Sequence, residues 1–171
     1  MFKSSGFTLI ELMIVISIIS ILTLIGIISY TQVLKNGRDG QRKTDLVLLE
    51  SALEQYRADL GFYPTTNTIT SSSVIGRPFT NQMGWPVTNP PPPLKTYLSK
   101  IQGDVNTATP YVYKSYKDNN GTACDNSATK CFVYCLYANL EGPGSATLDP
   151  AICNTNKPTS PSTYNSVVTT P

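Results

Sequence analysis

Residues Phe7 to Ile28 read FTLIELMIVISIISILTLIGII, 22 residues that carry one charge, Glu11. As a helix rising about 1.5 Å per residue, this run spans roughly 33 Å, enough to cross a bilayer. An ordinary single-pass anchor is one account of it. A secretory signal peptide is a poorer one, because such peptides need an apolar run of about 7–15 residues followed by a small-x-small cut site. Here the run is longer, a carboxylate interrupts it early, and Ser29-Tyr30-Thr31-Gln32 offers no such site. Glu11 calls for its own explanation. A carboxylate within a spanning segment costs a few kcal/mol on insertion scales, so it needs a partner, a function or a route to the headgroups.

The rest of the chain narrows the classes of function. There is no histidine among the 171 residues, so Ser-His-Asp and Cys-His nucleophiles, His-ligated metals and imidazole switches are excluded. A formal net charge of +2 is too weak to argue for a nucleic-acid partner. All 13 prolines fall at or after Pro64, so nothing before that point forbids one continuous helix. Residues 35–60 carry ten charges, five of each sign, and the stretch from 61 onward is rich in Ser, Thr and Asn.

The segment Lys3-Ser4-Ser5-Gly6-Phe7-Thr8-Leu9-Ile10-Glu11 resembles the type III signal of type IV pilins and type II secretion pseudopilins. Members carry a short polar leader with a basic residue, then Gly, Phe, Thr, Leu, Ile or Val, Glu and an apolar run. The resemblance implies that a membrane prepilin peptidase cuts between Gly6 and Phe7 and N-methylates Phe7. Gly6 has a physical rationale, since it lacks a side chain where the peptidase approaches the backbone. It further implies that Glu11 pairs with the positive amino terminus of a neighbouring subunit during assembly. Such a pair selects register more than it adds stability. The implied partners are other copies of the chain or related subunits, the prepilin peptidase, an inner-membrane assembly platform and, before assembly, the lipid bilayer. No cofactor, metal or enzymatic activity is implied.

Leu46, Leu49, Leu53, Tyr56 and Leu60 recur at spacings of three and four, a narrow helical stripe. Gly61 and Pro64 mark its end. The charges of this stretch read as solvated flanks and not as a site. A helix over Phe7–Leu60 would be about 80 Å long, weakened at Gly26, Gly37 and Gly40. The segment from Arg42 to Pro64 also looks like the one that follows the anchor in major pseudopilins and many bacterial pilins. Many type IV pilins place a proline within the apolar run, near where the helix loosens; this chain has none.

Beyond Pro64, Trp85-Pro86 and the run Pro90–Pro93 predict a stiff extended spacer. Leu94, Tyr97, Leu98 and Ile101 have the spacing of a short helix. Tyr111–Lys117 and Lys130–Leu140 read as strands, bounded by Pro110, Asn119-Asn120-Gly121 and Gly142-Pro143-Gly144. The expected fold is α+β and pilin-like: a long N-terminal helix packed against a small antiparallel sheet of three or four strands. The segments are then a leader (1–6), a transmembrane or filament-core half-helix (7–28), an amphipathic half (29–60), a β-rich exterior domain (61–153) and a polar tail or final edge strand (154–171).

Cys124, Cys131, Cys135 and Cys153 contain no Cys-x-x-Cys pair, which argues against zinc. Four cysteines allow three pairings. Cys131 and Cys135 lie four residues apart in a predicted strand, about 13 Å, too far to join each other. Of the remaining pairings we favour Cys124–Cys131 with Cys135–Cys153. Disulfides place the domain outside the cytoplasm. The positive-inside rule points the other way, with Lys35, Arg38, Arg42 and Lys43 after the run against Lys3 and the terminal amine before it. Asn120-Gly121-Thr122 fits a glycosylation triplet, and a turn explains it equally well. Asp104, Asp118, Asp125 and Asp149 are too scattered to carry over the calcium site of some major pseudopilins.

The resemblance therefore implies a structural subunit that waits in the inner membrane with its large domain outside the cytoplasm, is processed, and enters a periplasmic or extracellular filament. The long disulfide-bearing domain favours a type IV pilin over the alternative, the major pseudopilin of a type II secretion system. A membrane-anchored binding module that never polymerises is the alternative of another class.

Overall fold

The computed structural model describes residues 6–66, 69–70, 73–84, 93–104, 110–142, 151–155, 158, 164 and 166–169. The chain divides into two compact units, Met1–Gly37 and Arg38–Pro171. One helix, α1, runs from Leu9 to Leu60 and contributes to both.

In the first unit every residue from Phe7 to Ile27 is exposed, and the segment is apolar all round. Three hydroxyls of the apolar run are satisfied within the helix. Ser17, Ser20 and Thr23 donate to the carbonyls of Met13, Ile16 and Ile19 at 2.7–2.8 Å. A polar group so paired costs little in lipid. The helix passes Gly26, Gly37 and Gly40 without a break.

In the second unit the stripe is buried: Leu46, Leu49, Ala52, Leu53 and Tyr56 are at most 2% exposed. α1 stops at Gly61, which adopts φ +81° and returns its N–H to the Arg57 carbonyl at 2.7 Å. That left-handed conformation is cheap only without a Cβ. Three antiparallel strands, β3 (Val112–Tyr116), β4 (Val133–Ala138) and β5 (Ser166–Thr169), form a sheet in that order. A separate pair is made by β1 (Phe79–Thr80) and β2 (Thr96–Leu98).

The central strand β4 is buried along its whole length because both faces are covered. Tyr134, Leu136 and Ala138 join the α1 stripe in the main core. Val133, Cys135 and Tyr137 pack instead with Tyr164 and with Ile152 and Cys153 of a short helix, α2 (Ala151–Thr155). Aromatic rings knit the main core, with Tyr63 edge-on to Tyr134 at 4.8 Å and Tyr56 stacked on Phe79 at 5.6 Å.

One sequence expectation needs correction. Leu94–Ile101 is not a helix. Leu98 pairs with Phe79 across β2, Ile101 is held by hydrogen bonds with Arg77 and Gly76, and Leu94 stays 68% exposed. Eight residues following a proline run are too few to sustain a helix alone, and the paired strand captures them. The three-stranded antiparallel sheet is of the size expected, and the separate β1–β2 pair accompanies it. The spacer expected at Trp85–Pro93 lies, apart from Pro93, outside the described residues, as do Lys3, Pro143, Gly144 and Asp149.

Candidate assembly and processing site

Gly6 and Phe7 precede α1 and are exposed, Phe7 by 87%. Thr8 occupies the N-cap. Its hydroxyl accepts from the Glu11 N–H at 3.4 Å, and the Glu11 carboxylate takes the Thr8 backbone N–H at 2.8 Å and its hydroxyl at 2.6 Å. This reciprocal arrangement is a capping box, spelled by Thr-x-x-Glu at positions 8–11. It gives Glu11 a partner inside its own chain, which the sequence reading passed over although the spacing spells it. The carboxylate also lies in the first turn, where the helix dipole favours negative charge.

A second group of charges surrounds Arg42, whose side chain is 1% exposed. Its guanidinium reaches Asp104 at 3.0 Å, Asp39 at 2.8 Å and Glu141 at 3.1 Å. Arg38 grips Glu141 with two further bonds, and Asp39 accepts the backbone N–H groups of Glu141 and Gly142 at 2.9 and 2.8 Å. The cluster joins the first turns of α1 in this unit to the loop after β4 and to Asp104. Bonds from Arg38 and Arg42 hold the Glu141 carboxyl down at about 2. For Asp39, burial pushes upward but the two N–H groups and Arg42 win, leaving it below the usual carboxylate range. Nearby Asp45 goes the other way: burial raises it despite the Tyr111 hydroxyl at 2.9 Å. Reading the charges of the amphipathic stretch as solvated flanks was wrong for Asp45, which is buried, as are Asp39 and Arg42 just ahead of the stripe.

The arrangement also bears on orientation. Arg38 and Arg42 have work in the folded domain, so their position after the apolar run is not evidence of sidedness alone. The cysteines stand as two disulfides, Cys124–Cys131 between a turn and the approach to β4, and Cys135–Cys153 between β4 and α2. Asp118 and Asp125 each serve their own turn, accepting from Thr122 and Asn120 and from Ser127 and Thr129.

Residues 1–27 match the family model described as the prokaryotic N-terminal methylation motif. Among curated proteins, the chain is 42% identical over 66 residues to type II secretion system core protein G of Escherichia coli (strain K12), covering 38% of this chain and 45% of that protein. The core protein G of Vibrio cholerae serotype O1 is 37% identical over 65 residues, and that of Aeromonas hydrophila 42% over 65. These matches span 38% and 37% of this chain and 44% and 45% of those proteins, so the chain spans less than half the length of the relatives it matches. No solved structure matches.

Proposed function

We propose, since the amino-terminal segment is that of the type IV pilin and pseudopilin family, that the chain is the structural subunit of a type IV pilus or pilus-like filament. The observation that carries this reading is the Gly6–Glu11 motif at the head of an apolar helix whose residues Phe7 to Ile27 are all exposed. Before assembly, lipid covers the run in the inner membrane. After cleavage between Gly6 and Phe7 and methylation of Phe7, neighbouring helices take the place of lipid. The second unit, with its two disulfides, lies outside the cytoplasm, in the periplasm or beyond. Its role is packing and display and not catalysis.

The pseudopilin of a type II secretion system is a second reading, favoured by the 42% identity to core protein G. Both share the same processing step. Mass spectrometry of the amino-terminal peptide, from membranes that contain an active prepilin peptidase, is expected to show N-methyl-Phe7. A chain still beginning at Met1 would remove both readings and leave the non-polymerising binding module. Non-reducing peptide mapping of exported protein should return Cys124–Cys131 and Cys135–Cys153, each contributing about 2–4 kcal/mol. Free thiols would contradict the exterior location.

A further inference from the structure

The dipeptide Asn-Gly occurs twice, at Asn36-Gly37 and at Asn120-Gly121. Sequence alone treats the two alike; their backbone settings do not. Asn36 lies inside α1, where the Gly37 N–H belongs to the helical ladder. Helical side chains tilt back toward the amino terminus, and the Asn36 carbonyl oxygen is held there by Gln32 Nε2 at 3.1 Å. Its carboxamide therefore faces away from the Gly37 nitrogen.

Asn120 sits exposed in the turn between β3 and β4. The Asp118 carboxylate accepts the N–H of Asn120 at 3.0 Å and of Thr122 at 3.4 Å, and the Thr122 hydroxyl at 2.9 Å. Between them, the Gly121 N–H donates to the Asp118 carbonyl at a long 3.3 Å, and Gly121 adopts φ +83° with no Cβ to shield its nitrogen.

We propose that Asn120 is a site of self-modification, at which the exterior domain deamidates through its own backbone. The Gly121 nitrogen attacks Asn120 Cγ. A C–N bond forms, the Cγ–Nδ2 bond breaks, and the amide leaves as ammonia with the proton of the Gly121 N–H. Water then opens the cyclic imide at either carbonyl, giving aspartate or isoaspartate with no change in oxidation state. Each event sets a second carboxylate beside Asp118 and takes the chain from +2 to +1. In a filament of long-lived subunits it would act as a record of age.

The test uses the full chain in detergent, incubated in mildly alkaline buffer, digested at intervals and read by mass spectrometry. The Asn120 peptide is expected to gain about 1 Da, with isoaspartate, at least about tenfold faster than the Asn36 peptide, the ratio that 1.4 kcal/mol of barrier produces. In urea the two rates should converge. Gly121→Ala should slow Asn120 by about the same factor. Equal rates in the folded chain, persistent inertness of Asn36 in urea, or an Asn120 found capped by a glycan in exported protein would each overturn the proposal.

Discussion

Arg42→Met is expected to lower the stability of the second unit by about 3–5 kcal/mol, the usual cost of removing one partner from a buried ion group. Asp39 and Asp104 are at most 9% exposed, and both lose the cation that justifies their burial. In a unit of this size the melting temperature should fall by roughly 10–20 °C. Arg42→Lys should recover only part of the loss, because one ammonium cannot present the planar fork that reaches three carboxylates. The pH dependence separates this from lost packing. Asp39 and Glu141 are depressed in the folded chain, so their contribution is complete above the ordinary carboxylate range and fades as pH falls toward about 2 for Glu141. Without Arg42 the buried Asp39 resists ionisation, and protonation relieves it. Melts of the full chain in detergent should therefore show the gap between wild type and Arg42→Met narrowing in acid. A gap of under about 1 kcal/mol at neutral pH would mean that the ion pairs add nothing net to stability, and a gap that is constant with pH would mean that Arg42→Met reports lost packing and not lost charge.

What the sequence made legible follows from the range of the interactions. The stripe Leu46–Tyr56 and the stop at Gly61 are local, and periodicity alone finds them. β3 and β4 were visible because β-branched and aromatic residues stand between turn signals. The Arg42 cluster was not, because two of its three partners lie 62 and 99 residues away and nothing in the local Asp39–Arg42 spacing announces them. The same holds for α2, five residues long, which exists as a cover for β4 under Cys135–Cys153 and has no helical period of its own. β2 was misread because Leu94, Leu98 and Ile101 fit a helical spacing by accident, while strand pairing with Phe79 decides the outcome. The capping box is the opposite case. Thr8 and Glu11 are three residues apart, and only their membership in a longer motif drew attention from the local reason for that spacing.

That local reason sharpens what should happen when Glu11 is changed. Glu11→Gln and Glu11→Ala are both expected to insert into the membrane and to leave the second unit folded, with insertion easier because a charge costing a few kcal/mol in lipid is gone. They differ at the N-cap. Glutamine can still reach back to the Thr8 N–H as the third residue of a capping box, whereas alanine cannot, so the start of α1 should fray only in Glu11→Ala. Neither variant can neutralise the amine of an incoming Phe7. If Glu11 pairs with that amine, assembly should fail in both, by the roughly 3–5 kcal/mol that an unmatched charge costs in an apolar filament core. If the carboxylate serves only as a cap, Glu11→Gln should assemble like wild type and Glu11→Ala alone should falter. Expressing each variant as the sole subunit, matching its level in membranes and counting filaments by electron microscopy distinguishes the two. Abundant filaments from Glu11→Gln would show that the side chain serves the helix it begins through its hydrogen bonds, and that its charge is not needed for the neighbour it is expected to meet.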